Sequence, residues 1–155
     1  MTLCQKLVKG EYMNSCEIKF KAIAENEAFA RNVVASFVLP LNPSVNELED
    51  LKTAVSEAVT NVVVHAYPNE IGNVYLKIAI KNRDVQITIK DDGVGIQDID
   101  RAMTPFYTSK PDEERSGMGF TVMESFMDSL NVKNNKNGLI VSMTKTIENN
   151  VEAVC

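Results

Sequence analysis

The stretch Val55-Ser56-Glu57-Ala58-Val59-Thr60-Asn61-Val62-Val63-Val64-His65 reads as a core-facing helix with a carboxylate and an amide on one side of it. Glu57 and Asn61 stand one helical turn apart, so both can address the same point in space. An amide oxygen is a hard, neutral ligand suited to Mg²⁺, which prefers oxygen donors and keeps several waters. A carboxylate beside it can accept the proton of a water or hydroxyl attacking phosphorus. Taken alone, the pair is more often two polar residues on the wet stripe of an amphipathic helix. His65 continues the same face; a hydrogen-bonded structural histidine is the commoner outcome there, with a place near phosphate as the alternative.

The rest of the chain arranges itself around this helix. Ser44 followed by Glu47 forms a capping box that starts it, and it runs to about residue 66. Pro68-Asn69-Glu70-Ile71-Gly72-Asn73 then breaks it. Upstream, residues 16–24 alternate, with Ile18, Phe20, Ala22 and Ala24 on one side and Glu17, Lys19 and Lys21 on the other, which predicts a half-buried strand. Residues 26–39 change to helical spacing, with Phe29, Val33, Val34 and Phe37 sharing a face and Pro40 marking the stop. Downstream, 74–80 and 85–89 are strands joined across Asn82-Arg83-Asp84, and Val132 and 139–147 flank a second hairpin turn. The segment 118–127 between the hairpins is apolar at helical spacing. This order predicts an α+β fold, a two-layer sandwich. Residues 1–15 read as an N-terminal extension, 16–148 as one domain and 149–155 as a flexible tail.

Two further segments carry chemistry. Asp91-Asp92-Gly93-Val94-Gly95 ends the alternating Val85, Ile87, Ile89 strand in an acidic, glycine-rich turn. A carboxylate at a strand end can accept the exocyclic amino group of adenine, which guanine lacks at that position. Gly93 and Gly95 let backbone approach a planar base. An ordinary Asp-Gly turn is the alternative. Gly117-Met118-Gly119-Phe120 opens the apolar segment, where free amides and the helix dipole suit phosphate. The spacing is neither that of a dinucleotide fingerprint nor that of a P-loop, and His-Arg-Asp and Asp-Phe-Gly are both missing. Residues 91–116 between these segments are polar and irregular, with Pro105, Pro111 and the charged run Asp112-Glu113-Glu114-Arg115. A connection of that length in a compact domain is usually a functional loop.

Composition narrows the classes. With 155 residues, 45% of them hydrophobic, the chain suits one domain with its own core. A net charge of −5 argues against a protein that lives on nucleic-acid phosphate, while Mg²⁺ and backbone amides can offset that field for a small anion. No apolar run approaches the roughly 18 residues of a membrane span, and the start has no secretory apolar stretch. Cys4, Cys16 and Cys155 make no C-x-x-C pair, so neither a disulfide framework nor a zinc site is expected and a reduced cytoplasm is the simplest setting.

In this order and on these elements, the three segments resemble the N, G1 and G2 boxes of the GHKL (Bergerat-fold) ATPase superfamily. The stretches Glu25-Asn26-Glu27-Ala28-Phe29-Ala30-Arg31, Val55 to Asn61, and Glu114-Arg115-Ser116-Gly117-Met118-Gly119-Phe120-Thr121 resemble more closely the bacterial anti-sigma F factors, serine protein kinases of sporulation. The likeness covers roughly residues 16–147. It implies a mixed, mostly antiparallel sheet with helices on one face, ATP and Mg²⁺ as cofactors, and a homodimer. It also implies two protein partners, the sporulation sigma factor F and an anti-anti-sigma factor whose serine is phosphorylated, with no direct nucleic acid and no membrane. Residue by residue, it makes Glu57 the catalytic base, Asn61 the Mg²⁺ ligand and Asp91 the adenine acceptor, with Gly93 and Gly95 beside the base. Thr108, Ser109, Lys110 and Arg115 fall in a lid over ATP, Ser116, Gly117, Met118 and Gly119 at the phosphates, and Arg31 on the surface used against sigma. Histidine kinases of the superfamily carry a separate helical domain with a phospho-accepting histidine, whereas His65 here lies inside the nucleotide helix. Two alternatives to the kinase stand beside it: a non-kinase ATPase with a moving lid, and a binding module gated by nucleotide.

Overall fold

Val74, Leu76, Ile78 and Ile80 face the same way as Val85, Ile87 and Ile89 across a hairpin, and all seven are buried. This alternation builds the centre of the sheet in β2 (Asn73–Lys81) and β3 (Asp84–Asp91). The computed structural model describes residues 2, 5–6, 12–105 and 119–149. Around the central hairpin lie β1 (Met13–Lys21), β4 (Ser129–Asn134) and β5 (Leu139–Thr146), giving one sheet of order β1-β2-β3-β5-β4.

Every neighbouring pair in that sheet is antiparallel. The resemblance implied a mixed, mostly antiparallel sheet; the described strands are antiparallel and contain no parallel pair. The reason lies in the connection between β1 and β2. It contains two helices, which run out and back and return the chain antiparallel, where a single crossover helix would have left it parallel. These are α1 (Asn26–Val38) and α2 (Val45–Asn61), packed on each other over one face of the sheet. A short 3₁₀ turn, Leu39–Leu41, joins them, with Pro40 in its first turn where no donor is needed.

Ser44 caps α2 as expected, its hydroxyl accepting from the Glu47 amide at 3.1 Å. Leu51, Ala54, Val55, Ala58 and Val59 form the buried stripe of α2. On α1 the buried row is Ala30, Val34 and Val38, rotated from the expected face. The small Ala30 lets α1 approach its neighbours closely, and Phe29 is left 49% exposed, edge-on to Phe20 of β1 with centroids 5.8 Å apart. β1 itself begins and ends three residues earlier than its alternation suggests. The Asn26 side chain donates to the Lys21 carbonyl at 2.9 Å and turns the chain there, so Ala24 is exposed.

The helix read as continuous to residue 66 changes character at its end: Val62–Ala66 winds as a π-helix. The connection read as irregular contains a one-turn helix, α3 (Ile99–Ala102), capped by Asp98, whose side chain accepts from the Arg101 amide. The last helix is α4 (Gly119–Phe126), packed against α2. Among the described residues no helix is long and apolar enough to cross a membrane.

Candidate functional site

α2 delivers Asn61 to the edge of a cavity of about 340 Å³, a size suited to a small-molecule ligand. Its walls come from the π-helical end of α2, the end of β3, the loop through Gly95, α3, the start of α4 and the start of β5. Four of the residues to which the resemblance assigns a role meet there: Asn61, Asp91, Gly95 and Gly119. Asn61 and Gly119 are close neighbours, since a methyl group on Gly119 would lie 3.1 Å from the Asn61 Oδ1. The first and third motifs, nearly sixty residues apart in the chain, therefore share one corner.

Asp91 is only 3% exposed. Its Oδ1 accepts from the amides of Gly93 at 2.8 Å and Leu139 at 3.3 Å, while Oδ2 has no hydrogen-bond partner among the described residues. Burial raises its pKa above the usual carboxylate value, the two amides oppose that rise, and the nearby Asp92 charge adds to it. Asp91 lines the cavity as a buried acid with one oxygen held by the backbone, and such a group has acceptor capacity left for a ligand donor.

The loop after Asp91 is pinned on both sides. The Val94 amide donates to the Ala66 carbonyl at 2.9 Å, and a Cβ on Gly93 would lie 2.1 Å from that same oxygen, so only glycine fits. Gly95 has φ +70°, and beyond it the Asn134 side chain grips both backbone groups of Ile96, accepting from N at 2.9 Å and donating to O at 2.5 Å. The second hairpin thus holds the loop at the distance the cavity requires.

Glu57 is half-buried one turn before Asn61 and does not line the cavity. Arg31 is half-exposed on α1 and pairs with Glu27 at 3.2 Å. The Ser56 hydroxyl donates to the same Glu27 oxygen, tying Arg31 to α2. Thr108, Ser109, Lys110, Arg115, Ser116, Gly117 and Met118 lie outside the described residues. Among the described residues no group of three His, Cys, Asp or Glu could hold a metal. An amide oxygen at the cavity edge, such as that of Asn61, fits a Mg²⁺ that keeps several waters.

His65 also lines the cavity, as do Arg101 and Gln97. Arg101 carried one legible signal, the Asp98-x-x-Arg101 pattern of a helix start. Asn134, which grips Ile96, and Tyr67, whose hydroxyl accepts from the Asp92 amide at 2.8 Å, do not line the cavity and carried none.

Comparison with known proteins agrees with this geometry. A profile of the family described as "Histidine kinase-like ATPase domain" matches residues 20–145. The anti-sigma F factor of Clostridium kluyveri is 56% identical over 126 residues, covering 81% of this chain and 89% of that protein. The anti-sigma F factor of Caldanaerobacter subterraneus subsp. tengcongensis is 48% identical over 141 residues, covering 90% and 99%. A solved structure of the RsbU and RsbW domains of a Mycobacterium tuberculosis protein superposes with a TM-score of 0.63 at 14% identity, over 86% of this chain and 32% of that one, a likeness of fold. On the family match and on relatives about half identical over most of their length, the chain belongs to the histidine kinase-like ATPase domain family and, within it, to the anti-sigma F factors.

Proposed function

We propose that the cavity binds ATP with Mg²⁺ and that the chain transfers the γ-phosphoryl group to a serine of a small anti-anti-sigma protein, while as a homodimer it holds and inhibits the sporulation sigma factor F in the cytoplasm. The observation that carries the nucleotide is Asp91: a buried carboxylate with one oxygen held by backbone amides lines the same cavity as the neighbouring Asn61 and Gly119. Adenine presents an amino donor to that carboxylate, whereas guanine presents a carbonyl acceptor. Asn61 supplies the oxygen ligand for magnesium on the phosphate side, where bound metal offsets phosphate charge. The serine Oγ forms the new bond to γ-phosphorus, the bond to the β-phosphate oxygen breaks, Glu57 accepts the serine proton, and ADP leaves. Thr108, Ser109, Lys110 and Arg115 belong to the lid in this scheme, Ser116, Gly117, Met118 and Gly119 to the phosphate cradle, and Arg31 to the sigma-binding face.

Glu57→Ala separates binding from chemistry. The variant is expected to bind ATP like the parent and to lose phosphotransfer to the acceptor protein by roughly two to four orders of magnitude, the usual contribution of a general base. Undiminished transfer removes Glu57 from its role. The nucleotide-gated binding module is the second reading, favoured by the position of Glu57 outside the cavity lining. Measuring ADP production separately from sigma-factor capture distinguishes the two, since a binding module holds its partner with no turnover.

A further inference from the structure

The sequence of the helix end, Val62 to Tyr67, places a phenol where no phosphate or base is expected to reach it. The π-helical turn Val62–Ala66 ends at Tyr67, and the Tyr67 hydroxyl is held between two strand ends. It donates to the Asn73 carbonyl at 2.6 Å and accepts from the Asp92 amide at 2.8 Å. In the β2–β3 register the last pair is Val74 with Asp91, so Asn73 and Asp92 are the next position out. The phenol therefore closes the ladder one residue beyond Asp91, on the β2 side of β3, while the Leu139 amide reaches the Asp91 carboxylate from β5 on the other side.

The ring is fixed as well as the hydroxyl. A Cβ on Gly72 would lie 2.1 Å from the Tyr67 ring, so the chain passes over the ring with room for hydrogen alone. Tyr67 also connects two walls of the cavity. It follows Ala66, whose carbonyl receives the Val94 amide, and it bonds the backbone of Asp92. The end of α2 and the loop after β3 are thereby coupled at two points, Asp92 and Val94, directly after Asp91.

We propose that Tyr67 is a positioning residue for base selection: by fastening Asp92 to Asn73, it holds the Asp91 carboxylate at the depth and angle at which adenine is accepted and guanine refused. This rests on the reading of the cavity as an ATP site. Tyr67 does not line the cavity and touches no reacting atom. Its loss therefore acts on the ratio of affinities for two nucleotides, because a misplaced acceptor costs the amino-bearing base its bond and relieves the carbonyl-bearing base of its repulsion.

The test is the affinity of the full chain for Mg²⁺-ATP and Mg²⁺-GTP by calorimetry, in the parent, Tyr67→Phe, Gly72→Ala and Asp91→Asn. Tyr67→Phe keeps the ring and removes both hydrogen bonds. Its ATP affinity is expected to fall roughly tenfold with GTP affinity unchanged or higher, so that the selectivity ratio collapses. Gly72→Ala pushes the ring from outside and is expected to give the same signature, which keeps the inference open to test if one variant folds poorly. Equal losses for both nucleotides in Tyr67→Phe and Gly72→Ala, or an unchanged ratio, overturn the positioning role. If Asp91→Asn loses ATP selectivity while Tyr67→Phe keeps it, the ATP site stands and only the role of Tyr67 falls. A parent that binds neither nucleotide overturns both.

Discussion

In the proposed nucleotide site Asp91 is the buried acceptor for the base. Burial raises its pKa, so the folded chain binds this proton more tightly than the unfolded chain does. Between the unfolded pKa and the raised one, the stability contributed by this group falls as pH rises; above that window the cost of the buried charge is constant. Under the proposed function, nucleotide affinity runs in the opposite direction. Oδ1 already accepts two amides, so protonation falls on Oδ2 and turns the acceptor facing the cavity into a donor. ATP affinity is thus expected to decline on acidification at a pH above the usual carboxylate range, as calorimetry across a pH series can follow. In Asp91→Asn that pH dependence should vanish along with about 1–3 kcal/mol of binding. At this scale Asn61, Asp91, Gly95 and Gly119 were legible in the sequence, because a polar residue on an apolar helix or a glycine after a strand stands out from its neighbours. Asn134 and Tyr67 were not. Each acts on backbone 25 to 38 residues away, and nothing local marks the side chain that will be near.

Elements were read best where capping and periodicity agree. The Ser44 hydroxyl and the Glu47 amide form the cap expected of α2, and α2 is the helix that delivers both Glu57 and Asn61. Ser44→Ala is expected to lower unfolding free energy by about 1 kcal/mol, read from a denaturant midpoint, with the ATP-to-GTP ratio unchanged because the cap lies four turns from the cavity. An altered ratio would mean that the helix start and the cavity are coupled. The far end of α2 was read less well. A π-turn has the same apolar composition as an α-turn, and Val62–Ala66 winds as one where Ala66 offers its carbonyl to Val94 and Tyr67 bonds the backbone of Asn73 and Asp92. α3 was missed for a different reason: four residues are too few for periodicity to register, and only the Asp98 cap betrays it.

At the scale of the whole molecule, Arg83 shows how distant pieces are locked together. From the β2–β3 turn its guanidinium donates to the carbonyls of Ile147 at 2.7 Å, Leu41 at 2.8 Å and Glu148. It joins the central hairpin to the end of β5 and to the turn between the two large helices. Arg83→Ala is expected to cost about 2–3 kcal/mol of stability, the scale for hydrogen bonds from a charged donor, while leaving ATP affinity at the parent value. Thermal unfolding and calorimetry together check this; a large loss of ATP affinity at full stability would contradict it.

Local pattern alone was sufficient for the presence and order of the strands and the two large helices, though not for the ends of β1 and α2, and for the capping box and the order of the three motifs, since each depends on residues within a few positions of one another. The wholly antiparallel sheet, the rotated face of α1, the cavity and the bonds that orient Asp91 came only with the assembled chain. Those features depend on which surfaces meet after two helices turn back on a sheet, and the contacts that decide them join residues that one-dimensional spacing leaves unrelated.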